Sequence, residues 1–534
     1  MARLSVGNMK TGKGLIHSFL ENSASLFPDK VAVVHEKNRV EYSLINRSAN
    51  QLAHRLIESG AGLGDRVVIL SENNVEYIAC YYGILKAGCI AVPLNPDLKA
   101  DGLLDLLEEI EPKAIFVSRK YEKAFRSLGW TRSHACMILT TDSLLINQSS
   151  GKSDGSSRGK FESPCDENSN LKIDPDSCAA IVYTSGSLGK PKGVMLSHAN
   201  IVANTRAIVE YLKLTADDIQ MVVLPFYYVM GNSLLNTHIA VGGRLIINNE
   251  FAYMAAVLKQ IAEERVTGFS GVPSTYARLL YRSPLSRYRD RWPSLRYCSQ
   301  AGGHMPRHIK LELLKVLPAH TQLVIMYGAT EASARLSYVP PERLKAKIDS
   351  VGIPISGVTI EALSPAGKKL RPRTVGELVA RGPNIMLGYY KDKAGTKKVL
   401  DRHGFHTGDL GFYDEDGFFF LIGRKDDQIK ISGHRIDPAK IEDVVMDSGL
   451  AIECIIFPSP DSYGDLRLAG LVVPVSDEGD VIERIMGHCR RKLPKYEVPA
   501  SLEIVDEIPK SGTGKPERRK SQELFLKKRT GGNR

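Results

Sequence analysis

The apolar, partly β-branched run Ala179–Tyr183 leads into Thr184-Ser185-Gly186-Ser187-Leu188-Gly189-Lys190-Pro191-Lys192-Gly193, and the apolar Val194–Leu196 follows. The pattern reads as strand, loop, strand. Glycines in such a loop let backbone N–H groups approach an anion closely. Hydroxyls and two lysines add donors and positive charge, so the loop is expected to cradle phosphate. The GxxxxGK[ST] spacing of a Walker A loop is absent here and around Gly514-Lys515. A polar surface hairpin is the plainer alternative. Three glycines, two lysines and three hydroxyls in ten residues argue against it.

Upstream, Val31–Val34, Arg66–Leu70, Cys89–Pro93 and Lys113–Val117 read as strands, and Tyr42–Ser59 and Val75–Ala87 as helices. Alternation of this kind predicts an α/β fold with largely parallel, helix-covered sheets. Residues from about 148 to 170 are polar and rich in Ser and Gly, an exposed loop by composition. Alternation resumes at Ala179 and runs to about Pro354. Ile360–Phe420, with short strands and many Gly and Pro, predicts a small β-rich unit. After Gly423 comes the polar stretch Arg424–Asp427 and then a compact α+β segment. The expected division is a large N-terminal domain, 1–423, and a small mobile C-terminal domain, 424–534.

At 534 residues, 43% hydrophobic and 25% charged, the chain is too long for one simple core. No run approaches the ~18 apolar residues of a membrane span, and Met1–Lys13 lacks the apolar core of a secretory signal. The eight cysteines are scattered, which argues against a zinc site or disulfide framework and for a reducing, cytoplasmic location. The formal net charge of +11 favours anionic partners such as nucleotides, coenzyme A or an acidic carrier protein.

Five further stretches join the glycine-rich loop in order. They are Leu224-Pro225-Phe226-Tyr227-Tyr228; Tyr327-Gly328-Ala329-Thr330-Glu331; His406-Thr407-Gly408-Asp409; Gly423–Asp427 with Ile429–Arg435; and Pro509–Lys515. Together they resemble the signature motifs of the adenylate-forming (AMP-binding) superfamily, acyl-CoA synthetase type. Alone, Tyr327 would read as a core tyrosine, Glu331 and Arg424 as solvated charges, Asp409 as a turn aspartate and Lys515 as a solvated tail lysine. The motif context reverses those readings.

The resemblance implies an ATP- and Mg²⁺-dependent ligase that converts a carboxylic acid to acyl-AMP and passes the acyl group to a thiol. Thr184, Ser185, Gly186, Ser187, Gly189 and Lys192 would hold the β- and γ-phosphates. Leu188 departs from the family's usual threonine and removes one hydroxyl contact. Glu331, with Thr184, would ligate the metal, since hard cations prefer oxygen donors. Thr330 would contact the α-phosphate, Tyr327 the adenine, Asp409 the ribose, and Arg424 ribose or phosphate, with Gly302 also among the cofactor-binding residues. Lys515 would bridge carboxylate and α-phosphate where negative charge crowds in the transition state. Lys515, Thr330 and Glu331 are thus the catalytic set. Asp426 would be the hinge about which the C-terminal domain turns between half-reactions, and Lys430 and Arg435 would lie near the nucleotide or thiol tunnel.

The acyl pocket is expected at Tyr227, Tyr228, Val229, Met230, Gly231, Asn232 and Gln300–His304, including Gly303. Tyr228 stands where many acyl-CoA relatives carry His. Gly231, Gly302 and Gly303 are expected to leave room. With no acidic residue near Phe226–Ser233 in sequence, a buried α-ammonium would be unpaired and costly. A plain carboxylic acid, fatty or otherwise apolar, is therefore favoured over an amino acid. Coenzyme A is the favoured acceptor because no carrier domain follows, and Arg484–Lys495 offers basic side chains for its phosphates. The same side chains suit an acidic carrier protein, so a ligase that loads a carrier phosphopantetheine stays open. So does a non-catalytic adenylate binder. Nucleic acid is not an expected partner.

Overall fold

The computed structural model describes residues 14–130, 136–140, 166–184, 191–251, 253–425, 429–431, 434–460, 466–476, 479–510 and 516–531. Two large sheets carry the architecture. In the seven-stranded sheet the order is Gly388–Tyr389, Lys192–Ser197, Cys178–Thr184, Ile90–Leu94, Arg66–Leu70, Ala114–Val117, Met137–Thr140. The last five run parallel, and the first two are antiparallel additions. The nine-stranded sheet has a parallel centre built from Val31–His35, Arg244–Ile247, Ile219–Val222, Gly268–Gly271, Tyr297–Gln300 and Gln322–Tyr327.

Helices fill the space between the sheets. Every residue of helix Val75–Lys86 except Glu76 is buried, and so is every residue of helix Val229–Val241 after Val229. A helix buried all round must lie between layers. One apolar cluster accordingly joins Val67, Ala91 and Val182 of the first sheet to Ala32, Val222 and Leu245 of the second. Lys86 is enclosed there. Its Nζ donates to Glu21 at 2.7 Å and to Asn168 at 2.8 Å, so the described end of the polar 148–170 stretch is pinned to these helices.

The β-rich unit is a five-stranded antiparallel sheet made from Thr359–Leu363, Gly376–Arg381, Gly404–Tyr413, Leu400–Asp401 and Phe419–Arg424. The C-terminal segment forms a three-stranded sheet, Ala451–Pro460, Leu466–Pro474 and Ser501–Ile504, with helices Pro438–Asp447, Val481–Lys492 and Arg518–Gly531. One apolar cluster contains Ile455, Phe457 and Leu471 of this unit together with Tyr276 and Leu279 of helix Pro273–Arg282. Arg278 and Glu507 pair at 2.6 Å beside it. The α/β class, the helix-covered sheets and the small α+β terminal unit match the sequence reading. Among the described residues no helix is long and apolar enough to cross a membrane.

Candidate active site

The strands flanking the glycine-rich segment pair antiparallel, and Thr184 lies opposite Lys192. Ser185, Gly186, Ser187, Leu188 and Gly189 lie outside the described residues. The Lys192 ammonium sits 4.7 Å above the Tyr389 ring. The Tyr389 hydroxyl donates to Glu331 Oε1 at 2.8 Å. Burial and then the Glu331 carboxylate push the Tyr389 phenol well above its ordinary pKa, so it stays a donor. Tyr389 gets there because Gly388–Tyr389 adds to the edge of the seven-stranded sheet, with Tyr389 opposite Val194.

A second group forms where the other sheet ends. Tyr327 closes strand Gln322–Tyr327, and its hydroxyl donates to Asp409 Oδ2 at 2.5 Å. Asp409 lies opposite Arg424 across the strand pair, and Arg424 Nε is 3.3 Å from Asp409 Oδ1. Arg424 also donates to the Thr407 carbonyl at 3.0 Å. Burial, followed by Asp409, raises the Tyr327 phenol well above its ordinary pKa. Arg424 is near enough to Tyr389 to draw its phenol slightly down against those rises, which sets the two groups near one another.

Residues 328–335 connect them. Thr330–Ala332 is a single 3₁₀ turn, and Ser333 and Ala334 follow with φ of 54° and 115°. A β-carbon on Gly328 would fall 2.0 Å from the Ala334 carbonyl oxygen. Only glycine fits that crossing. The Asn384 amide donates to the carbonyls of Ala332 at 3.0 Å and Arg335 at 2.8 Å, and Asn204 donates to Arg335 O at 2.9 Å. Thr330 and Glu331 therefore stand on a clamped turn.

At the acyl side the Tyr227 and Tyr228 rings meet at 4.5 Å between centroids. A β-carbon on Gly302 would lie 3.2 Å from Val272 Cγ1 and 3.9 Å from Met230 Sδ, which brings Met230 and the Gly302-Gly303 segment together. Gly231 needs a correction. The space beside it is taken by the Pro225 carbonyl, 2.0 Å from where a β-carbon would stand. Its missing side chain serves backbone packing and leaves no room for a ligand. One acidic group invisible to sequence proximity also appears. Asp97 accepts from the Tyr121 hydroxyl at 3.1 Å and, after burial, helps raise the Tyr227 phenol to about 12.

Asp426 and Lys515 lie outside the described residues. Lys430 and Arg435 are opposite each other in the hairpin Ile429–Ile431/His434–Ile436. A bridge between Lys510 and Pro516 stands on either side of 511–515. The C-terminal unit reaches the site's border where Asp443 Oδ1 lies 2.8 Å from His304 Nε2, one residue beyond Gly303. Sequence reading missed Tyr389, Asn204, Asn384 and Arg335. Only the Gly388-Tyr389-Tyr390 aromatic pair was a local signal.

The fold and this pair of charged groups define a nucleotide-using α/β enzyme with a separate C-terminal unit. The AMP-binding enzyme profile matches residues 20–390, and that of the AMP-binding enzyme C-terminal domain matches residues 440–515. The chain belongs to the AMP-binding enzyme family. It is 29% identical over 530 residues to the long-chain-fatty-acid–CoA ligase of Bacillus subtilis, covering 95% of this chain and 93% of that one. Feruloyl-CoA synthase of an Amycolatopsis species is also 29% identical, over 495 residues, covering 92% and 95%. The ATP-bound structure of MatB from Rhodopseudomonas palustris superposes with a TM-score of 0.81 at 25% identity, covering 96% of this chain and 99% of that one.

Proposed function

We propose that this enzyme uses ATP to convert a carboxylic acid to an acyl-adenylate, releasing pyrophosphate, and then passes the acyl group to the thiol of coenzyme A. The observation that carries the reading is the convergence of two groups on one site. Tyr327, Asp409 and Arg424 form a carboxylate-centred cluster suited to a ribose. Lys192, Tyr389 and Glu331 stand together beside the end of the strand pair that flanks the glycine-rich segment, suited to phosphate. The names of the relatives support coenzyme A as the acceptor and differ in the acid.

The carboxylate attacks the α-phosphorus, the bond to the bridging oxygen breaks, and pyrophosphate leaves with its electron pair. Both reactants are anionic, so charge neutralisation and alignment dominate the barrier. Lys192 and the Thr184–Gly193 segment neutralise the outer phosphates, Thr330 orients the α-phosphate, and Lys515 bridges the reacting oxygens. Asp409 holds the ribose. One carboxylate, Glu331, with Thr184 nearby in the fold, fits a Mg²⁺ ion carried largely by phosphate and water. The ion would supply charge stabilisation on the phosphates. Asp426 is the hinge that exchanges Lys515 for the Lys430–Arg435 hairpin in the thiol step, and 424–534 turns as the small domain. Met230, Val272 and Ala301 supply apolar walls for the acyl chain.

Exchange of labelled pyrophosphate into ATP tests the first half-reaction. It should depend on an added carboxylic acid, and coenzyme A should then convert the product to thioester. Lys515→Ala should abolish exchange while largely sparing thioester formation from preformed acyl-adenylate, and Asp409→Ala should weaken ATP binding. No exchange across fatty, aryl and amino acids would remove the proposal.

A further inference from the structure

The segment Ala301–Met305 has two faces. Ala301 and Met305 are buried, and Gly302 takes a left-handed φ of 88°. A β-carbon on Gly302 would meet Val272 and Met230, and one on Gly303 would lie 3.5 Å from Pro273. The Gln300 amide donates to the Gly303 carbonyl at 2.8 Å. This inner face is the acyl side. The His304 side chain reaches outward instead. It is 47% exposed, and its Nε2 lies 2.8 Å from Oδ1 of Asp443, in helix Pro438–Asp447 of the C-terminal unit. An imidazole with its proton on Nε2 makes this bond whether neutral or charged. Four residues further along both chains, His308 Nδ1 faces Asp447 Oδ1 at 3.8 Å. Asp447 ends its helix, where a negative charge opposes the helix dipole. Its placement serves the contact with His308 and not the helix.

A second connection runs beside the first. Helix Pro273–Arg282 begins where Val272 and Pro273 abut Gly302 and Gly303. Its Tyr276 and Leu279 share an apolar cluster with Ile455 and Phe457 of the C-terminal unit, and its Arg278 pairs with Glu507 at 2.6 Å. The segment and the helix that back the acyl side thus both rest on the C-terminal unit.

We infer that the docked C-terminal unit is the outer support of the acyl wall, and that His304 and Asp443 are positioning residues that carry this support to Gly302 and Gly303. Moving the unit away breaks the His304–Asp443 bond and frees a segment that contains two glycines, so the acid is held less tightly. The coupling is reciprocal: a bound acid strengthens docking as much as docking strengthens the hold on the acid. The inference rests on the activation reading above, which makes this face the acyl side.

The experiment uses the full chain and the variants His304→Ala, Asp443→Ala, their double, and Asp443→Asn. Asp480→Ala, which removes an exposed carboxylate of the same unit that pairs only along its own helix, is the control. Hydrogen exchange of the backbone amides across 300–305 reads the support directly. Asp443→Ala, 139 residues away in sequence, should speed exchange there about 2- to 5-fold, the range a half-exposed charged pair supplies. His304→Ala should match it, and the double variant should add nothing. Asp443→Asn keeps an acceptor oxygen and should restore most of the protection, and Asp480→Ala should leave it unchanged. In pyrophosphate exchange, with octanoate and benzoate as starting probes, the KM for the acid should rise by the same factor while that for ATP stays put. Unchanged amide exchange in Asp443→Ala, additive effects of the two single variants, or an equal rise in both KM values would each overturn the inference. If no fatty, aryl or amino acid supports pyrophosphate exchange while the amides respond as stated, the activation reading falls and the support stands.

Discussion

Tyr389 shows how much one side chain ties together. Its ring lies under Lys192 and its hydroxyl donates to Glu331. Tyr389→Phe keeps the ring and deletes the donor. A hydrogen bond to a charged group contributes about 1.5–3 kcal/mol. Exchange kcat/KM for ATP should therefore fall about 10- to 100-fold, and the melting temperature should drop by about a few degrees because the same bond is present in the free fold. An unaltered kcat/KM would show that Glu331 does not need this partner. Sequence pattern exposed the other members well, because Tyr327, Glu331, Asp409 and Arg424 each stand inside a short motif. Tyr389 escaped because its contact with Glu331 joins residues 58 apart and exists only once a two-residue edge strand has formed. Arg335 escaped for a different reason. An isolated arginine reads as surface charge, and nothing in its neighbours announces burial.

Among elements, the turn 328–335 tolerates little change. Gly328→Ala would place a methyl 2.0 Å from a backbone oxygen, and backbone cannot step aside as a flexible side chain can. The expected loss is about 2–4 kcal/mol in urea denaturation. Gly62→Ala is the control: nothing lies within 4 Å of a β-carbon there, so its midpoint should stay put. Equal midpoints for both variants would refute the crossing. Longer elements were legible because apolar runs reveal parallel strands. Arg66–Leu70 is a strand over that range, and the run read as Cys89–Pro93 forms Ile90–Leu94. Gly388–Tyr389 and Leu400–Asp401 are two residues each, too short for any periodicity. Although Gly388–Tyr389 falls within the β-rich stretch of sequence, it joins the seven-stranded sheet.

At the scale of the whole molecule, acid should weaken the fold through two buried imidazoles. Burial, with Lys86 nearby, lowers His17 to about 4. Burial, with His17 nearby, lowers His198 to about 3. His198 Nδ1 also accepts the Ile16 N–H at 3.3 Å, which requires an unprotonated nitrogen. The unfolded chain protonates both near pH 6.5, whereas the folded chain resists until about pH 4 or below. The unfolded state therefore binds more protons in that window, and stability falls as pH drops from about 6.5 towards 4. Each group contributes up to about 1.4 kcal/mol per pH unit. Denaturation midpoints across that range should show the decline, and the pair His17→Gln and His198→Gln should make it shallower, with His238 and His308, also lowered by burial, contributing the rest. A wild-type midpoint that does not move would refute the linkage.

The seam between helix Pro273–Arg282 and the C-terminal sheet has a consequence for turnover. Tyr276, Leu279, Ile455, Phe457 and Leu471 are each at most 3% exposed. Moving that unit uncovers apolar surface at about 25 cal/mol per Å². The unit is thus a stopper seated in a fitted bore, and it does not hang as a loose flap. A ligand that needs the unit elsewhere must spend part of its binding free energy unseating it, so its apparent affinity is weaker than its contacts alone would give. Trimming the seam would tighten that ligand's grip and loosen the seated arrangement by the same factor.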